Sequence, residues 1–382
     1  MTHNSKEPSV RTVIIVMALL MASAMHTHAA DPQNLQQQID ALAKPLIADK
    51  TAVGFVVGVL QDGKAQFWGY GETVKGSQIT PDADTVYEIA SVTKVFTCTL
   101  LADMVERGLM KLDDPVQQYL PAGVKMPVTD NRSIRLVDLA THSSGLPRMP
   151  NNIMPSNPQN PYTDERMFAF LNGYHLRRTP GVYEYSNLGA GLLGVILARH
   201  ARCTYEQLLN ERIFQPLGLT DTRITLDDRL QRRLAPPYNE ALEPLEPDFK
   251  PMPAAGALHS TARDLLKFVQ ANLAANRADG ADGPLDKAFR LALSKHRDAG
   301  NNGPAMGLGW RFDLDGVTCF HGGLTKGYRS WLIMVPDREI SVVVLANTRS
   351  TRIKRLCELV AQAAQGMDVQ PLSPKKPSPK RR

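Results

Sequence analysis

The chain has 382 residues, of which 43% are hydrophobic and 21% charged, a composition ordinary for a globular protein. The formal net charge of +6 lies at the ends, because residues 1–30 carry a net +1 and the last eleven residues carry +5. The net positive charge is therefore a property of the two ends of the chain and not of its middle. Since the middle shows no basic face and no nucleic-acid motif, we expect no nucleic-acid partner.

The N-terminus has the pattern of a targeting segment. Lys6 and Arg11 precede an apolar run from Thr12 to Met25, and small residues follow it up to Ala30. This order predicts a signal peptide over residues 1–30, and hence export to the bacterial periplasm or cell exterior. An uncleaved membrane anchor is the alternative, but the apolar run is too short to span a bilayer comfortably.

The first elements after the predicted signal peptide are expected to be a helix and then a β-hairpin. A helical pattern covers residues 35–49, and two β-rich runs, residues 52–60 and 65–71, flank the turn sequence QDGK. A buried helix then begins near Ser91 and ends near Gly108, since apolar residues recur along it and glycine suits a helix end.

The remaining pattern predicts one sheet built from both ends of the chain. Residues 110–300 read as helices joined by long loops, strand patterns resume after residue 300, and a helix closes the chain. We therefore expect an α/β (α+β) fold with an antiparallel sheet of N- and C-terminal strands, flanked by helices. The sheet part covers about residues 31–90 and 301–368, and an inserted all-helical part about residues 91–300. Residues 369–382 form a basic tail predicted to be disordered, which could contact a membrane or the cell wall.

Ser91 and Lys94 stand three residues apart at the predicted helix start. Residues at this spacing share a helix face, so the amine can reach the hydroxyl. In the first turn the backbone N–H is unpaired and the helix dipole favours negative charge. The pair predicts a serine nucleophile with a lysine base whose pKa is lowered. Ser373 and Lys376 in the tail have the same spacing, so the spacing alone is a weak signal.

Two further motifs carry polar groups at element boundaries. Tyr185 and Asn187 precede an apolar helix; they could relay a proton and bind a substrate amide, or instead fill the core and cap the helix. His321, Gly322 and Gly323 stand at a strand edge, where glycines let another backbone approach. The histidine could face a substrate or lie in an ordinary turn.

In this order, the three motifs resemble the S-x-x-K, Y-x-N and K/H-x-G motifs of the serine penicillin-recognising hydrolases. That superfamily includes class C β-lactamases, low-molecular-mass D-alanyl-D-alanine carboxypeptidases and family VIII esterases. The resemblance covers about residues 35–365 and extends to the segments FWGYGET, THSSGLP, YSNLGAGLLG, PLGLTDT, GLGW and VVVLAN. It implies a β-lactamase/transpeptidase-like hydrolase domain over residues 31–368.

The resemblance also implies roles for individual residues. Ser91 would be the acylated nucleophile, Lys94 and Tyr185 the proton-transfer pair, and Asn187 the partner of the substrate amide. The backbone N–H groups of Ser91 and Leu324 would form the oxyanion hole. His321, Gly322 and Gly323 would bind substrate along the strand. Many β-lactamases have lysine, threonine and glycine at the third motif, so histidine there implies weaker β-lactam hydrolysis and intact acyl-enzyme chemistry.

The expected activity is that of an exported serine hydrolase acting on D-alanyl-D-alanine peptides of peptidoglycan, with β-lactams as inhibitors or poor substrates. A carboxylesterase acting on small esters is one alternative, and a non-hydrolytic β-lactam sensor or wall-binding protein is another. The four cysteines are far apart and lack metal-binding spacing, so they indicate no metal site. The expected acyl-enzyme mechanism needs no metal or organic cofactor. Their disulfide state and the oligomeric state stay open. Carboxylate recognition could come from basic residues after the third motif, namely Lys326, Arg329, Arg349 and Arg352.

Overall fold

The computed structural model describes residues 32–129, 132–154, 159–247, 250–277, 279–300 and 303–373. The predicted signal peptide and the last nine residues of the basic tail lie outside these ranges. Within the described ranges, no helix is both long and apolar enough to cross a membrane.

A six-stranded antiparallel sheet forms the centre of the fold. Its order is β2-β1-β8-β7-β6-β5, so the two ends of the chain meet where β1 pairs with β8. The strands are β1 Gly54–Gln61, β2 Lys64–Gly71, β5 Arg311–Phe312, β6 Cys319–Leu324, β7 Arg329–Val335 and β8 Ile340–Ala346. The predicted sheet is confirmed, because every one of these strands comes from the expected terminal regions.

Helices cover both faces of the sheet. The first helix, α1 Pro32–Ala48, and the last helix, α12 Arg352–Ala364, pack on one face through apolar residues such as Leu42 and Leu356. On the other face lies α10, Ala262–Ala275, which contacts β1 and β8. Since α10 comes from the segment predicted as a helical insertion, that segment also contributes to the layer over the sheet.

The central helix α2, Thr93–Glu106, is buried along nearly its whole length. The remaining helices are α3 Leu136–Ala140, α4 Asp164–Gly173, α5 Asn187–Ala201, α6 Tyr205–Leu209, α7 Gln215–Leu217, α8 Asp228–Gln231, α9 Pro253–Gly256 and α11 Pro284–Leu293. Of these, α5, α6, α9 and α11 pack against α2. A second sheet pairs β3, Tyr87–Glu88, with β4, His259–Ser260. This small sheet was not predicted, because two-residue strands give no periodic signal.

Candidate active site

Ser91 lies in a short 3-10 turn, Ala90–Val92, directly before α2. The turn is held from two sides: Ile89 N–H donates to the Leu258 carbonyl at 2.9 Å, and Ser330 Oγ donates to the Ile89 carbonyl at 2.7 Å. Ala90 has a left-handed backbone with φ of +49°. A non-glycine residue in this conformation is strained and persists only when its surroundings impose it, so the turn before Ser91 is held by the strands around it.

Lys94 reaches Ser91 from one turn further along α2. Its Nζ donates to Ser91 Oγ at 3.1 Å and to the Ala255 carbonyl in α9 at 2.5 Å. The side chain is buried. Burial lowers the pKa of Lys94, because a charged amine loses its hydration there. The predicted contact and the predicted direction of the pKa shift are both present.

Tyr185 approaches Ser91 from the loop before α5. Its hydroxyl donates to Ser91 Oγ at 2.8 Å. Burial alone raises the pKa of Tyr185, but the Lys94 ammonium, the hydrogen bonds with Lys94 and Ser91, and the Arg311 guanidinium outweigh it, so the pKa is lowered. The charge on each of Lys94 and Tyr185 therefore affects the pKa of the other.

Asn187 does not cap α5, which was the structural alternative to binding a substrate amide. Ser186 caps α5 instead, because its Oγ accepts from Gly189 N–H at 2.8 Å. Asn187 lines a cavity of about 200 Å³ that also reaches Ser91. The other lining residues are Ala90, Met149, Lys250, Pro251, Met252, Ala255, Gly256, Leu324 and Thr325. The cavity therefore joins the first and second motifs to the end of β6.

The glycines of the third motif make room for other parts of this chain. A Cβ on Gly323 would lie 2.2 Å from the Ile89 carbonyl oxygen, and one on Gly322 would lie 2.0 Å from the Trp331 ring. The backbone that approaches Gly323 is therefore the turn before Ser91. Neither glycine is among the residues that line the cavity, and both are closely packed, which brings β6 against the turn. A direct contact of these glycines with substrate stays a prediction.

His321 is not the cleft wall that the sequence suggested. It is 1% exposed and does not line the cavity, and neither ring nitrogen has a hydrogen-bond partner among the described residues. Burial is the largest cause that holds its pKa well below the usual value, and nearby Arg311 and Lys94 act in the same direction. His321 is therefore a neutral imidazole beneath the site. The alternation that buries position 321 and exposes position 324 along β6 is the physical reason.

Leu324, at the exposed end of β6, lines the same cavity as Ser91. Strand β5 pairs with β6 only at Phe320 and Cys319. Within the described part of the chain, no named strand therefore lies beside Leu324 on that edge of β6. This position suits the predicted backbone donor for an oxyanion beside Ser91.

Three residues around Tyr185 were not predicted as part of the site. The His142 ring lies 4.3 Å from the Tyr185 ring, and its Nδ1 accepts from Ser186 N–H at 3.2 Å. The guanidinium groups of Arg148 and Arg311 lie 4.9 and 5.2 Å from the same ring. His142 belongs to the segment THSSGLP, which could have drawn attention to it, whereas isolated arginines gave no sequence signal.

Two of the basic residues expected to bind a carboxylate are ion-paired within the fold. Arg352 pairs with Asp49, and Arg349 lies 3.7 Å from Glu240. Arg329 stacks on Trp331 at 4.9 Å, and burial lowers its pKa. The segment after the third motif therefore offers fewer available cations than its sequence suggested.

The cysteines of the described residues form no disulfide. All four cysteines are free thiols, and Cys98, Cys319 and Cys357 are buried. In the part of the chain that the structure describes, no group of three or more His, Cys, Asp or Glu side chains could hold a metal ion.

The antiparallel sheet, the buried lysine and the two hydrogen bonds to one serine oxygen define a serine hydrolase. The sequence pattern of the beta-lactamase family matches residues 39–365, and the chain therefore belongs to that family. This match covers most of the chain and includes all three motifs.

Curated relatives match over nearly their whole length. A D-alanyl-D-alanine-carboxypeptidase/endopeptidase, AmpH, of Escherichia coli (strain K12) is 29% identical over 372 residues, covering 91% of this chain and 94% of the relative. A beta-lactamase of the same strain is 27% identical over 367 residues, covering 86% and 93%. The similarity therefore extends across both the sheet and the helical parts of the chain.

Solved structures share the fold. A beta-lactamase/D-alanine carboxypeptidase of Pseudomonas syringae has a TM-score of 0.74 at 24% identity, covering 87% of this chain and 98% of that chain. A beta-lactamase/D-alanine carboxypeptidase of Yersinia pestis, complexed with citrate, has a TM-score of 0.72 at 26% identity, covering 88% and 99%. The predicted β-lactamase/transpeptidase-like fold is confirmed.

Proposed function

We propose that this protein is an exported acyl-enzyme hydrolase that cleaves D-alanyl-D-alanine peptides of peptidoglycan as a carboxypeptidase or endopeptidase, and that β-lactams acylate it. One observation carries the proposal: Ser91 Oγ receives hydrogen bonds from both Lys94 Nζ and Tyr185 OH at the edge of a cavity. A hydroxyl held between two titratable groups is prepared for nucleophilic attack.

Acylation would begin when Ser91 Oγ attacks the substrate carbonyl. The serine proton passes to the Lys94–Tyr185 pair, and the pair returns a proton to the leaving amine as the carbon–nitrogen bond breaks. The burial that lowers the pKa of Lys94 matters here, because only a neutral amine can accept a proton.

The tetrahedral oxyanion would be bound by the backbone N–H groups of Ser91 and Leu324. Two such donors commonly contribute several kcal/mol, because they point in advance at the charge that develops. Asn187, which lines the same cavity, would bind the amide of the substrate. Water then attacks the acyl carbon and gives a proton to the same pair. The bond between the acyl carbon and Ser91 Oγ breaks, and the pair returns the proton to Ser91 Oγ.

A carboxylesterase is the second candidate, and the lining of the cavity favours it. Met149, Met252, Pro251 and Leu324 face the space beside Ser91, and this apolar lining suits an uncharged acyl group. The Lys94–Tyr185 pair would serve an alcohol leaving group as well as an amine. A non-hydrolytic sensor would use the same acylation and stall before deacylation.

A substrate panel separates these activities. A D-alanyl-D-alanine peptide, nitrocefin and p-nitrophenyl butyrate are each incubated with the wild type and with Ser91→Ala. Release of D-alanine that requires Ser91 supports the peptidase. Ester turnover without D-alanine release assigns the esterase, and a single-turnover burst without steady-state release assigns the sensor.

A further inference from the structure

One positive charge beside Tyr185 comes from a strand that the sequence motifs did not point to. The third-motif side chain, His321, is a buried neutral imidazole and supplies no cation. Arg311, on the neighbouring strand β5, instead places its guanidinium 5.2 Å from the Tyr185 ring. Residue 311 pairs with Phe320, the residue before His321, and the Arg311 charge is among the causes that lower the pKa of His321.

Arg311 is held there by a neighbour of Tyr185. One terminal nitrogen donates to Tyr183 OH at 2.9 Å, while its Nε is buried without a hydrogen-bond partner. Among the described residues, no ion pair joins Arg311 to a carboxylate, so its charge is not neutralised locally by the protein. A half-buried, unneutralised guanidinium acts on its neighbours more strongly than a hydrated one.

Four other groups among the described residues face Tyr185. Lys94 and Ser91 approach from α2 and its leading turn, and His142 and Arg148 approach from the loop after α3. Burial lowers the pKa of His142 well below the usual value, so this ring brings no charge. Arg148 is exposed, and water screens its charge. Arg311 is therefore the cation that remains effective whether Lys94 is protonated or neutral.

We propose that Arg311 is a positioning residue that acts through Tyr185, and that it provides from β5 the positive charge that a lysine at position 321 would provide. Its charge favours the phenolate form of Tyr185, so that the phenolate can take the Ser91 proton during acylation. This inference rests on the proposed acyl-enzyme function.

The test measures the rate at which penicillin acylates Ser91, and the rate of p-nitrophenyl butyrate hydrolysis, across a pH series. In Arg311→Met we expect both rates to fall about 10- to 100-fold, within the range that acid–base groups contribute. The limb on which activity rises with pH should move to higher pH, because loss of a cation raises the pKa of Tyr185. Arg311→Lys keeps the charge and should stay within about threefold of wild type.

The decisive variant moves the charge instead of removing it. Arg311→Met combined with His321→Lys should recover most of the lost rate and move the pH limb back. Arg297→Met is the matched control, because the Arg297 guanidinium lies 5.2 Å from the Tyr183 ring rather than against Tyr185. We expect wild-type rates and pH dependence from it.

A further variant tests whether a lower rate comes from loss of the charge or from loss of the fold. Arg311→Gln removes the charge but can still donate to Tyr183 OH, so it should match Arg311→Met in rate while retaining wild-type thermal unfolding. If the neutral variants acylate at the wild-type rate with an unchanged pH limb, the inference is overturned. A double variant no faster than Arg311→Met also overturns it. Failure of the wild type to be acylated at all would instead contradict the proposed function.

Discussion

The first motif and the third motif differ in how their polar side chains are satisfied. Lys94 donates two hydrogen bonds at 3.1 and 2.5 Å, whereas His321, equally buried, makes none through its ring among the described residues. A buried polar group without partners costs free energy that nothing local repays. We therefore expect the chemistry to be concentrated in the first motif and Tyr185, and the third motif to act mainly through its backbone and its packing.

This difference gives each motif its own expected response to mutation. Changes at Ser91, Lys94 or Tyr185 should remove chemical steps and leave the fold intact. Changes at Gly323 or His321 should alter stability and the shape of the site. The predictions below run from the largest expected effect to the smallest.

Lys94→Met should reduce acylation by about 10³-fold, since it removes a proton acceptor in contact with the nucleophile. Methionine has a similar length and is apolar, so the buried position should tolerate it. Stopped-flow acylation by penicillin measures the rate, and thermal unfolding checks the fold. If the acylation rate falls by less than about tenfold, Tyr185 rather than Lys94 acts as the base.

Tyr185→Phe should reduce acylation by about 10²-fold. The ring can still pack 4.3 Å from His142, so the loss reports only the hydroxyl that contacts Ser91 Oγ at 2.8 Å. The same stopped-flow measurement applies. Tyr183→Phe is the matched control, because it removes a hydroxyl that bonds Arg311 rather than Ser91, and its effect should be smaller.

Gly323→Ala should lower the free energy of unfolding by about 1–3 kcal/mol, the usual cost of overpacking. The new methyl group would lie 2.2 Å from the Ile89 carbonyl oxygen, so β6 must move away from the turn that carries Ser91. Acylation should fall along with stability. Gly173→Ala, where nothing lies within 4 Å of the new methyl group, is the control for urea unfolding. Equal effects at both positions would contradict the close-approach role of Gly323.

The buried histidines should make stability depend on pH. Burial holds the pKa values of His321 and His142 below the ordinary 6.5. Below pH 6.5 the unfolded chain binds protons that the folded chain does not, so stability is full above that pH and falls as pH decreases. Each such histidine contributes about 1.4 kcal/mol per pH unit in this range.

His321→Gln tests this contribution in urea unfolding between about pH 5 and 7. It should reduce the pH slope of the unfolding free energy by about 1.4 kcal/mol per unit. His175→Gln replaces an exposed imidazole and is the matched control. If the unfolding free energies of wild type and His321→Gln have the same pH slope, His321 is charged in the folded wild type.

Local spacing in the sequence predicted much of the site. Ser91 and Lys94 meet because three residues span one helical turn, and the strand pattern at both ends of the chain predicted the sheet. Asn187 was ambiguous because asparagine could itself cap the following helix, a role that Ser186 takes in the structure.

Contacts between distant strands could not be predicted in this way. His321 is buried because of its register in β6, and Arg311 reaches Tyr185 because a two-residue strand pairs at Phe320. Neither fact leaves a periodic signal in one sequence. The Ala255 carbonyl that accepts from Lys94 lies 161 residues away along the chain, and backbone groups carry no residue-specific mark.

The central claim is that Ser91 is the acylated nucleophile, and intact mass spectrometry tests it most directly. The wild type is incubated with a penicillin across about pH 5 to 8, and the adduct is located by peptide mapping. We expect one penicilloyl group on the peptide that contains Ser91, and none in Ser91→Ala. Absence of label on Ser91 at every pH, or equal labelling of Ser91→Ala, would contradict the account.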